Sequence, residues 1–504
     1  MVSIHFIKTE YDMSVKLTNK VITEKFFNIE SRLDLLDGSS EVSIIWERIR
    51  HIISKQILVE LGLHKSKNKI KPQKQNITWK ITKGYGLLWN SIVRNPFFVW
   101  RRPTYLFWGS PRRKMGNDGY YIDIYTDYFS ELLPTRSSIT IEKPYEWKHL
   151  KPVKTERIKY ADFFLVCIFF LKRLYPGKSK FKIDPVFKEI EKEICNEFGV
   201  SIKIQKLVRE TRLSRIVSLF IYRIYLRMIK PELLFLVGSY GKSNLIEAAK
   251  LEDITTIELQ HGVYGPLHMG YSFPGELKKR SFPDYLFTFG QYWCENVSFP
   301  VGNEKVFPVG FPHLSLTVKN YDTFNKKDQV IFLSQPTTGF NIAQYALSIA
   351  KQKDRPKSIL YKLHSDEYRW WREEYPDLSW AHDKGIITVI DSDSPLLYSL
   401  LAESKYQVGV NSTALFEGIA FNCRTVILKI TGHEYMADLV NSGMVLLVDT
   451  GTSLDFNRVP RIEESVDYLF NKDWENAFNK AINKIIKNSN RDNNLNQDNK
   501  MGRR

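Results

Sequence analysis

The sequence contains little that would indicate a disulfide-bonded or metal-binding protein. Its four cysteines, Cys167, Cys195, Cys294 and Cys423, stand far apart and form no Cys-x-x-Cys pair. This excludes the familiar zinc and redox spacings and gives no disulfide framework. A reducing compartment, the cytoplasm, is therefore expected.

Long apolar segments are scarce as well. The first ten residues include His5, Lys8 and Glu10 and form no apolar signal core. The longest apolar run, Phe163 to Leu171, is too short to span a bilayer and is flanked by charged residues. We therefore expect a protein that is made and kept inside the cell, with this run as a buried helix.

Acidic residues are the scarcer charge, since 56 Asp and Glu against 73 Lys and Arg give a formal net charge of +17. A basic surface attracts nucleic acid, anionic lipid or polyanionic substrates, and an ordinary solvated surface is equally compatible with it. No nucleic-acid-binding motif is recognisable, so no nucleic-acid partner is expected. The apolar stripe from Leu213 to Tyr225, with arginines beside it, fits a core helix or a helix on an anionic membrane surface.

The regular part of the chain alternates strands with helices. Apolar strands are predicted at 233–240, 255–260, 285–290 and 305–310, with helices between them. After a polar hinge at 319–329, six further strand–helix units follow up to Asp449. Such alternation is typical of parallel sheets with crossover helices. The sequence therefore predicts an α/β protein with two Rossmann-like doubly wound domains that face a cleft.

Four segments follow from these patterns. Residues 1–83 read as a helix-leaning N-terminal extension, 84–318 as an N-terminal Rossmann-like acceptor domain, 326–487 as a C-terminal nucleotide-donor domain, and 488–504 as a disordered tail. The tail contains almost nothing apolar, which is the composition of a segment that cannot build a core.

Ligands of open parallel sheets bind beyond the carboxyl ends of the strands. One strand of the first series ends in Gln260-His261-Gly262, and His268 follows in a glycine-containing loop. A histidine at this edge can accept a proton from an acceptor hydroxyl, because its pKa lies near working pH. The alternative is a histidine that only caps the strand or bonds the loop.

The second series ends one strand in a polar loop. Ser412 and Thr413 lie at the N-cap of the next helix, where hydroxyls and free N–H groups suit a diphosphate. Glu417 lies one turn further, where a carboxylate can bind ribose hydroxyls. Lys362 and His364 close another strand and could neutralise a phosphate leaving group. Ordinary helix capping explains Ser412 and Thr413 equally well.

The segment Gly238 to Ser243 imitates a phosphate-binding P-loop, with Gly-Lys-Ser between a strand and a helix. A P-loop needs a further glycine five residues before the second one, and that position is Leu236. An ATPase is therefore a poor interpretation, although the turn could still hold an anion.

Taken in order, these blocks resemble the GT-B-fold glycosyltransferases of bacterial capsule and cell-surface polysaccharide synthesis. The similarity runs from about Leu233 to Asp449, with a fainter likeness that includes Arg112 and Arg113. The family's strand-end His-Gly step matches His261-Gly262. Its Lys-x-His-Pro step matches 362–365 with Ser365 in place of proline, and its Ser/Thr-rich loop matches 412–417.

The resemblance implies a metal-independent transfer that needs no cofactor. A nucleotide-sugar donor would bind the C-terminal domain, and a glycan or lipid-linked glycan acceptor would bind the N-terminal one. His261 would be the general base, while Lys362, His364, Ser412 and Thr413 would stabilise the departing phosphate. Gln260, Gly262, His268, Arg112 and Arg113 become acceptor or loop candidates. A peripheral position on the inner face of the cell membrane is compatible with such an acceptor.

Two other functions stay open. A nucleotide-sugar 2-epimerase on the same fold would need carboxylates that face the sugar, and Glu258 and Glu417 are the candidates. A non-catalytic protein could use the basic aromatic surface for a membrane or a polyanion. Fold alone does not choose among these.

Overall fold

A computed structural model describes residues 18–63, 77–116, 118–176, 181–273, 279–321, 323–461 and 466–501. Within these residues the chain forms two parallel sheets, a two-stranded antiparallel ribbon and helices that cover the sheets. The expected α/β class and the two doubly wound domains are confirmed.

The first sheet has seven parallel strands in the order β5-β4-β1-β6-β7-β8-β9. Their bounds are β1 Tyr105–Trp108, β4 Ser138–Glu142, β5 Ile158–Tyr160, β6 Leu233–Val237, β7 Thr255–Leu259, β8 Tyr285–Thr288 and β9 Val306–Pro308. The ribbon pairs β2 Lys114–Met115 with β3 Tyr121–Ile122. Every residue of β1 and β6 is buried, as expected for central strands covered on both faces.

The second sheet has six parallel strands in the order β12-β11-β10-β13-β14-β15. They are β10 Lys327–Leu333, β11 Ser358–Lys362, β12 Thr388–Ile390, β13 Ser404–Gly409, β14 Arg424–Leu428 and β15 Leu446–Val448. In both sheets the strand order reverses beside the first strand, which is the switch point where doubly wound sheets bind ligands. Two such sheets in one chain give a GT-B-like fold.

Eighteen α-helices lie in the described residues. They are α1 Asn19–Arg32, α2 Glu41–Glu60, α3 Ile77–Val93, α4 Asp127–Glu131, α5 Asp162–Leu174, α6 Val186–Phe198, α7 Gln205–Ile229, α8 Ser243–Lys250, α9 Gln291–Glu295, α10 Pro312–Asn320, α11 Gly339–Ala350, α12 Trp371–Glu374, α13 Pro376–Asp383, α14 Leu397–Glu403, α15 Thr413–Ala420, α16 Ala437–Asn441, α17 Val466–Leu469 and α18 Trp474–Met501. None of these helices is long and apolar enough to cross a bilayer.

The N-terminal extension is helical in its described part and is anchored on the first domain. Buried side chains of α1, α2 and α6 form one apolar cluster, which includes Trp46. Arg48 of α2 pairs with Glu247 of α8 at 2.5 Å, with both side chains buried. The extension is therefore packed against the first domain as part of its core.

The last helix departs from the predicted boundaries. Trp474, Phe478 and Ile485 of α18 pack against Phe235 and Phe287 of the first sheet, although the sequence placed them in the donor domain. The helix also continues through Met501, where a disordered tail was expected from 488; residues 502–504 lie outside the described part. The apolar stripe of this helix predicts burial but does not reveal which sheet it covers.

Candidate active site

His261 stands directly beyond β7, at the carboxyl edge of the first sheet. Its Nδ1 lies 3.3 Å from the Tyr264 hydroxyl and 3.8 Å from Glu258 Oε1. The Tyr264 hydroxyl donates to Glu258 at 3.1 Å, so its oxygen can accept a hydrogen bond from Nδ1–H. This pattern favours the tautomer in which Nε2 carries the free lone pair.

The buried carboxylate of Glu258 organises this corner. Its Oε1 accepts hydrogen bonds from the Gly238 and Ser239 amides at 3.1 and 3.0 Å, and from the Tyr271 hydroxyl. Burial raises the pKa of Glu258. Because the carboxylate already occupies the turn's amides, this turn does not present them to an anion, contrary to what the sequence left open.

Lys242 completes the difference from a P-loop. Its ammonium folds back onto the carbonyl oxygens of Val237 and Gly238 instead of projecting over the turn. Gly238 adopts φ 76°, a left-handed conformation that favours glycine, and a Cβ added there would lie 3.6 Å from His261 Nε2. The glycine thus leaves room beside the nitrogen that is free to act as a base.

The electrostatics keep His261 uncharged. Burial lowers its pKa to about 3, and the nearby Lys242 and His268 act in the same direction. Burial also lowers the pKa of Lys242 to about 8. The His261 side chain is still 23% exposed, so a ligand can reach it. The imidazole is therefore both neutral and accessible at physiological pH.

His268, the second predicted histidine, lies in the same corner. Its Nδ1 accepts a hydrogen bond from the Gly270 amide at 3.2 Å, and burial lowers its pKa to about 4. The Tyr240 ring lies near both histidines, with its centroid 6.1 Å from that of His261 and 5.8 Å from that of His268. Tyr240 was not among the predicted residues, because nothing in its local pattern distinguishes it from other aromatic residues.

The helical extension contributes to this corner from far away in the sequence. His51 of α2 lies with its ring 5.2 Å from the Tyr240 ring. The buried Arg50 donates to the carbonyl oxygens of Met269 and Ser272 at 2.5 and 2.9 Å and pairs with Glu30 at 2.6 Å. Arg50 therefore fixes the loop that holds His268, a role that only the folded chain reveals.

On the second domain, the predicted loop caps its helix. The Ser412 hydroxyl accepts a hydrogen bond from the Ala414 amide at 3.2 Å, so the capping alternative is realised. Gln335, beyond β10, bonds both the amide and the carbonyl of Asn411, at 3.4 and 3.3 Å. The loop is thus held at the switch point between β10 and β13.

The two edges face each other. A Cβ added at Gly262 would lie 3.7 Å from the Thr413 hydroxyl oxygen, so the first residue of α15 meets the His-Gly step of the first domain. Between the domains, the rings of Trp293 and Phe416 pack 4.8 Å apart. The structure therefore brings together the two strand-end blocks that the sequence singled out.

Glu417 lies one turn into α15 beside first-domain residues that sequence analysis did not connect to it. Burial raises its pKa, and Lys114 of the β2–β3 ribbon opposes that shift. Lys114 also lies 4.9 Å from the Tyr398 ring centroid. Tyr125, whose pKa is raised by burial and by Glu417, donates to the His261 carbonyl at 2.9 Å. Tyr125 thus connects the backbone of the candidate base with the donor side.

Lys362 and His364 are turned differently. The Lys362 ammonium bonds the Tyr368 hydroxyl and the Ser392 carbonyl, each at 2.6 Å, on the side of β12 and away from β13. His364 is exposed, and its Nδ1 accepts from the Asp366 amide at 3.2 Å. No contact in the described structure joins either residue to Ser412 or Thr413.

The remaining candidates support the corner in different ways. Gln260 is buried and bonds the Gly262 carbonyl at 2.8 Å and the Phe289 amide at 2.7 Å, which fixes the turn after β7. Arg112 is exposed, and its guanidinium lies 6.0 Å from the centroid of the Tyr145 ring. Arg113 is buried in ion pairs with Asp127, at 2.7 Å, and Glu142. Arg113 therefore holds the loop together and does not present its charge to a ligand.

No known protein family and no curated protein matches the chain by sequence. Among solved structures, the chain is similar to the UDP-GlcNAc 2-epimerase of Methanocaldococcus jannaschii, with 12% identity, 75% of this chain and 99% of that one covered, and a TM-score of 0.44. It is also similar to the Neisseria meningitidis UDP-GlcNAc 2-epimerase bound to UDP-GlcNAc, with 14% identity, 76% of this chain and 99% of that one covered, and a TM-score of 0.42. A third similar structure is the glycosyltransferase SnogD of Streptomyces nogalater, with 12% identity, 76% of this chain and 94% of that one covered, and a TM-score of 0.37. The assignment of function therefore depends on the cleft's own geometry.

Proposed function

We propose that the chain is a glycosyltransferase that moves a sugar from a nucleotide-sugar donor to a hydroxyl of a glycan or lipid-linked glycan. The observation that carries this proposal is the placement of a neutral, accessible histidine opposite the N-terminus of α15. A base on one wall and a helix N-terminus on the other are what a transfer between an acceptor hydroxyl and a diphosphate leaving group requires.

The proposed transfer makes one bond at the anomeric carbon and breaks another. His261 Nε2 takes the proton of the acceptor hydroxyl while that oxygen bonds the anomeric carbon of the sugar. The bond between the anomeric carbon and the phosphate oxygen breaks, and its electron pair leaves with the nucleoside diphosphate. The N–H groups at the start of α15 and the Thr413 hydroxyl stabilise that charge. Glu258 and Tyr264 orient the imidazole by fixing its Nδ1 proton.

A histidine with a pKa of about 3 is a weak base, so the bound donor must strengthen it. This low pKa belongs to the protein without donor, where burial and the charge of Lys242 act on His261. A bound diphosphate brings negative charge near the imidazole, which favours its protonated form and raises the pKa. We therefore expect His261 to become an effective base only when the donor is present.

The product is proposed to be capsule or another surface polysaccharide because of the family resemblance.

An epimerase is the second candidate, and Glu417 is the observation that favours it. A carboxyl group with a raised pKa in the cleft can serve as a proton donor, and Lys114 lies beside it. A 2-epimerase inverts the configuration at carbon 2 of the sugar and needs no acceptor. Product analysis of each nucleotide-sugar with and without acceptor separates the two, because an acceptor-free change at the sugar contradicts the transferase proposal.

The first test is a thermal-shift screen against CMP, CDP, UDP, GDP and their common sugar conjugates. A ligand that binds the folded state raises the unfolding midpoint in relation to its occupancy. A shift with one nucleotide class identifies the donor, and acceptor-dependent release of that nucleotide supports transfer. Absence of any shift, with or without oligosaccharide acceptor, would contradict a nucleotide-dependent enzyme.

A further inference from the structure

The outer surface of the first domain carries an unusual apolar helical face. Helix α5 packs between α3 and α7, and these three helices hold about half of the exposed large apolar side chains among the described residues. Trp89 is 55% exposed, Phe169 60% and Phe220 61%. The apolar run at 163–171 was expected to be buried, but its second half is exposed. We call this surface the helical face.

A cationic pocket lies at the amino ends of β1, β4 and β5 of the first sheet, beside the helical face. It has a volume of about 450 Å³ and is lined by Arg94, Arg101, Arg136, Arg157 and Lys159, with Glu156 as the one acidic residue on its wall. Within the described chain, none of the five cations forms an ion pair with a carboxylate. Five positive charges on one partly exposed wall, with a single carboxylate beside them, attract an anion.

The side-chain hydrogen bonds that Arg157 and Lys159 form go to backbone carbonyl oxygens, which carry no net charge to neutralise them. Arg157 donates to the carbonyl oxygens of Arg101, at 2.8 Å, and Arg136, and Lys159 donates to the Phe98 carbonyl at 2.7 Å. Burial lowers the pKa of Arg157, and the neighbouring arginines add to this. The arginines of α7 differ, since Arg223 and Arg227 pair with Glu252 at 2.6 and 2.7 Å.

The pocket and the helical face form one surface, separate from the cleft. Phe98 and Trp100 line the pocket and are themselves exposed, Trp100 completely. Arg101, Arg136 and Arg157 precede β1, β4 and β5, so the pocket lies at the amino edge of the sheet. His261 lies at the carboxyl edge. An anion in this pocket would therefore not be the reacting diphosphate.

We propose that the helical face rests on an anionic phospholipid bilayer, with lipid phosphate groups bound in the cationic pocket. Apolar and aromatic side chains beside arginines are the composition of a surface that lies in the membrane interface. A second copy of the chain on this face would bring two cationic pockets together, whereas anionic headgroups neutralise them. The proposal goes beyond the proposed function, because it concerns a different edge of the sheet.

The test is flotation of the full chain with vesicles of phosphatidylcholine alone and of phosphatidylcholine with phosphatidylglycerol. We expect binding only to the anionic vesicles, with a decrease as salt is raised. Arg94→Glu/Arg101→Glu should weaken binding by at least about tenfold. Phe169→Gln/Phe170→Gln should weaken it while leaving the salt dependence in place. Lys353→Glu/Lys357→Glu on the second domain, matched in charge change, should bind as the unaltered chain does.

Equal binding to neutral and anionic vesicles, or binding that survives both sets of substitutions, would overturn the proposal. A dimer in solution that Phe169→Gln/Phe170→Gln dissociates, without vesicle binding by the unaltered chain, would assign the face to a second copy and also overturn it. The thermal shift with nucleotides needs no vesicles. Failure of the membrane proposal is thus distinguishable from failure of the transferase proposal, and the unfolding midpoint of each variant without ligand shows whether it is folded.

Discussion

The carboxyl edges of the two sheets share a topology but differ in how they are built. The first edge is closed: His261 sits among tyrosines above the buried Glu258, and Arg50 of the extension fixes the loop beside it. The second edge is open: Ser412 caps a helix, Thr413 begins it, and His364 is exposed. The first edge is preorganised by buried side chains, whereas the second offers short polar groups that are partly exposed.

This difference separates chemistry from binding. A proton-transfer group needs a fixed orientation and a tuned pKa, and both follow from burial and neighbouring side chains. A diphosphate needs N–H groups, hydroxyls and access, which a helix N-terminus supplies without a buried network. We therefore expect substitutions at the first edge to affect rate or folding, and those at the second to affect donor affinity.

The largest effect is expected from His261→Ala and His261→Gln. Loss of a general base costs about 10²- to 10⁴-fold in turnover. The thermal shift with nucleotide should persist, because the donor binds the other edge. Turnover is measured as acceptor-dependent nucleotide release.

His364→Gln is the matched control on the open edge and should lose at least an order of magnitude less than His261→Gln. Full turnover of either His261 variant, with an unchanged unfolding midpoint, would remove His261 from the role of base. Equal losses at both histidines would contradict the division between the two edges.

The next largest effect is on stability, through the contact that Arg50 of the N-terminal extension makes with the first edge. Arg50→Leu leaves Glu30 as a buried charge without its cation, which is expected to cost about 3–5 kcal/mol of unfolding free energy. Urea unfolding followed by tryptophan fluorescence measures this loss. Arg32→Leu removes an exposed arginine paired with Glu193 and should cost about 0–1 kcal/mol. Similar costs for the two variants would show that Arg50 does not brace the first domain.

The third effect tests the open edge. Ser412→Ala/Thr413→Ala removes two hydroxyls facing the proposed diphosphate, and hydrogen bonds to charged groups contribute enough for about a ten- to a hundredfold loss of donor affinity. Ser40→Ala removes a similar N-cap from α2, where Ser40 accepts from the Ser43 amide at 3.1 Å. It should cost about 1 kcal/mol of stability without changing donor affinity. Unchanged affinity in the double variant would limit Ser412 and Thr413 to capping.

Local patterns predicted much of the fold. The runs at Leu233–Val237 and Arg424–Leu428 are apolar and bounded by turn residues, so their strands were found. The edge strand β5 and its neighbour β4 were missed, and the three residues of Ile158–Tyr160 are too few to show a recognisable pattern. The packing of α18 on the first sheet was also missed, since an apolar stripe says that a helix is buried but not against what.

The site divides in the same way. The placement of His261 and Thr413 could be predicted, because strand ends are recognisable and the fold's topology brings these two ends together. Tyr240, His51 and Lys114 could not, because their proximity depends on segments far apart in sequence. Arg113 shows the converse: its charge suggested a ligand, but buried carboxylates already pair with it. A charged residue in a motif predicts chemistry only when its partners are known.

The smallest expected effect is on acid stability, and it follows from the pKa of His261. A folded pKa of about 3 lies below the unfolded value of 6.5, so the unfolded chain binds more protons as the pH falls. Stability is therefore lost below about pH 6.5, by about 1 kcal/mol for this group at about pH 5.5. His51 and His268, with pKa values lowered by burial to about 4, act in the same direction.

His261→Gln should accordingly narrow the gap between the urea midpoints measured at neutral pH and at about pH 5.5, since glutamine does not titrate. Ser412→Ala removes no titratable group; it is the control and should leave the gap unchanged. An equal gap in the His261→Gln variant would mean that the imidazole is not held neutral by burial in the free protein. The base would then be ready before the donor arrives, and the closed edge would owe its function to position alone.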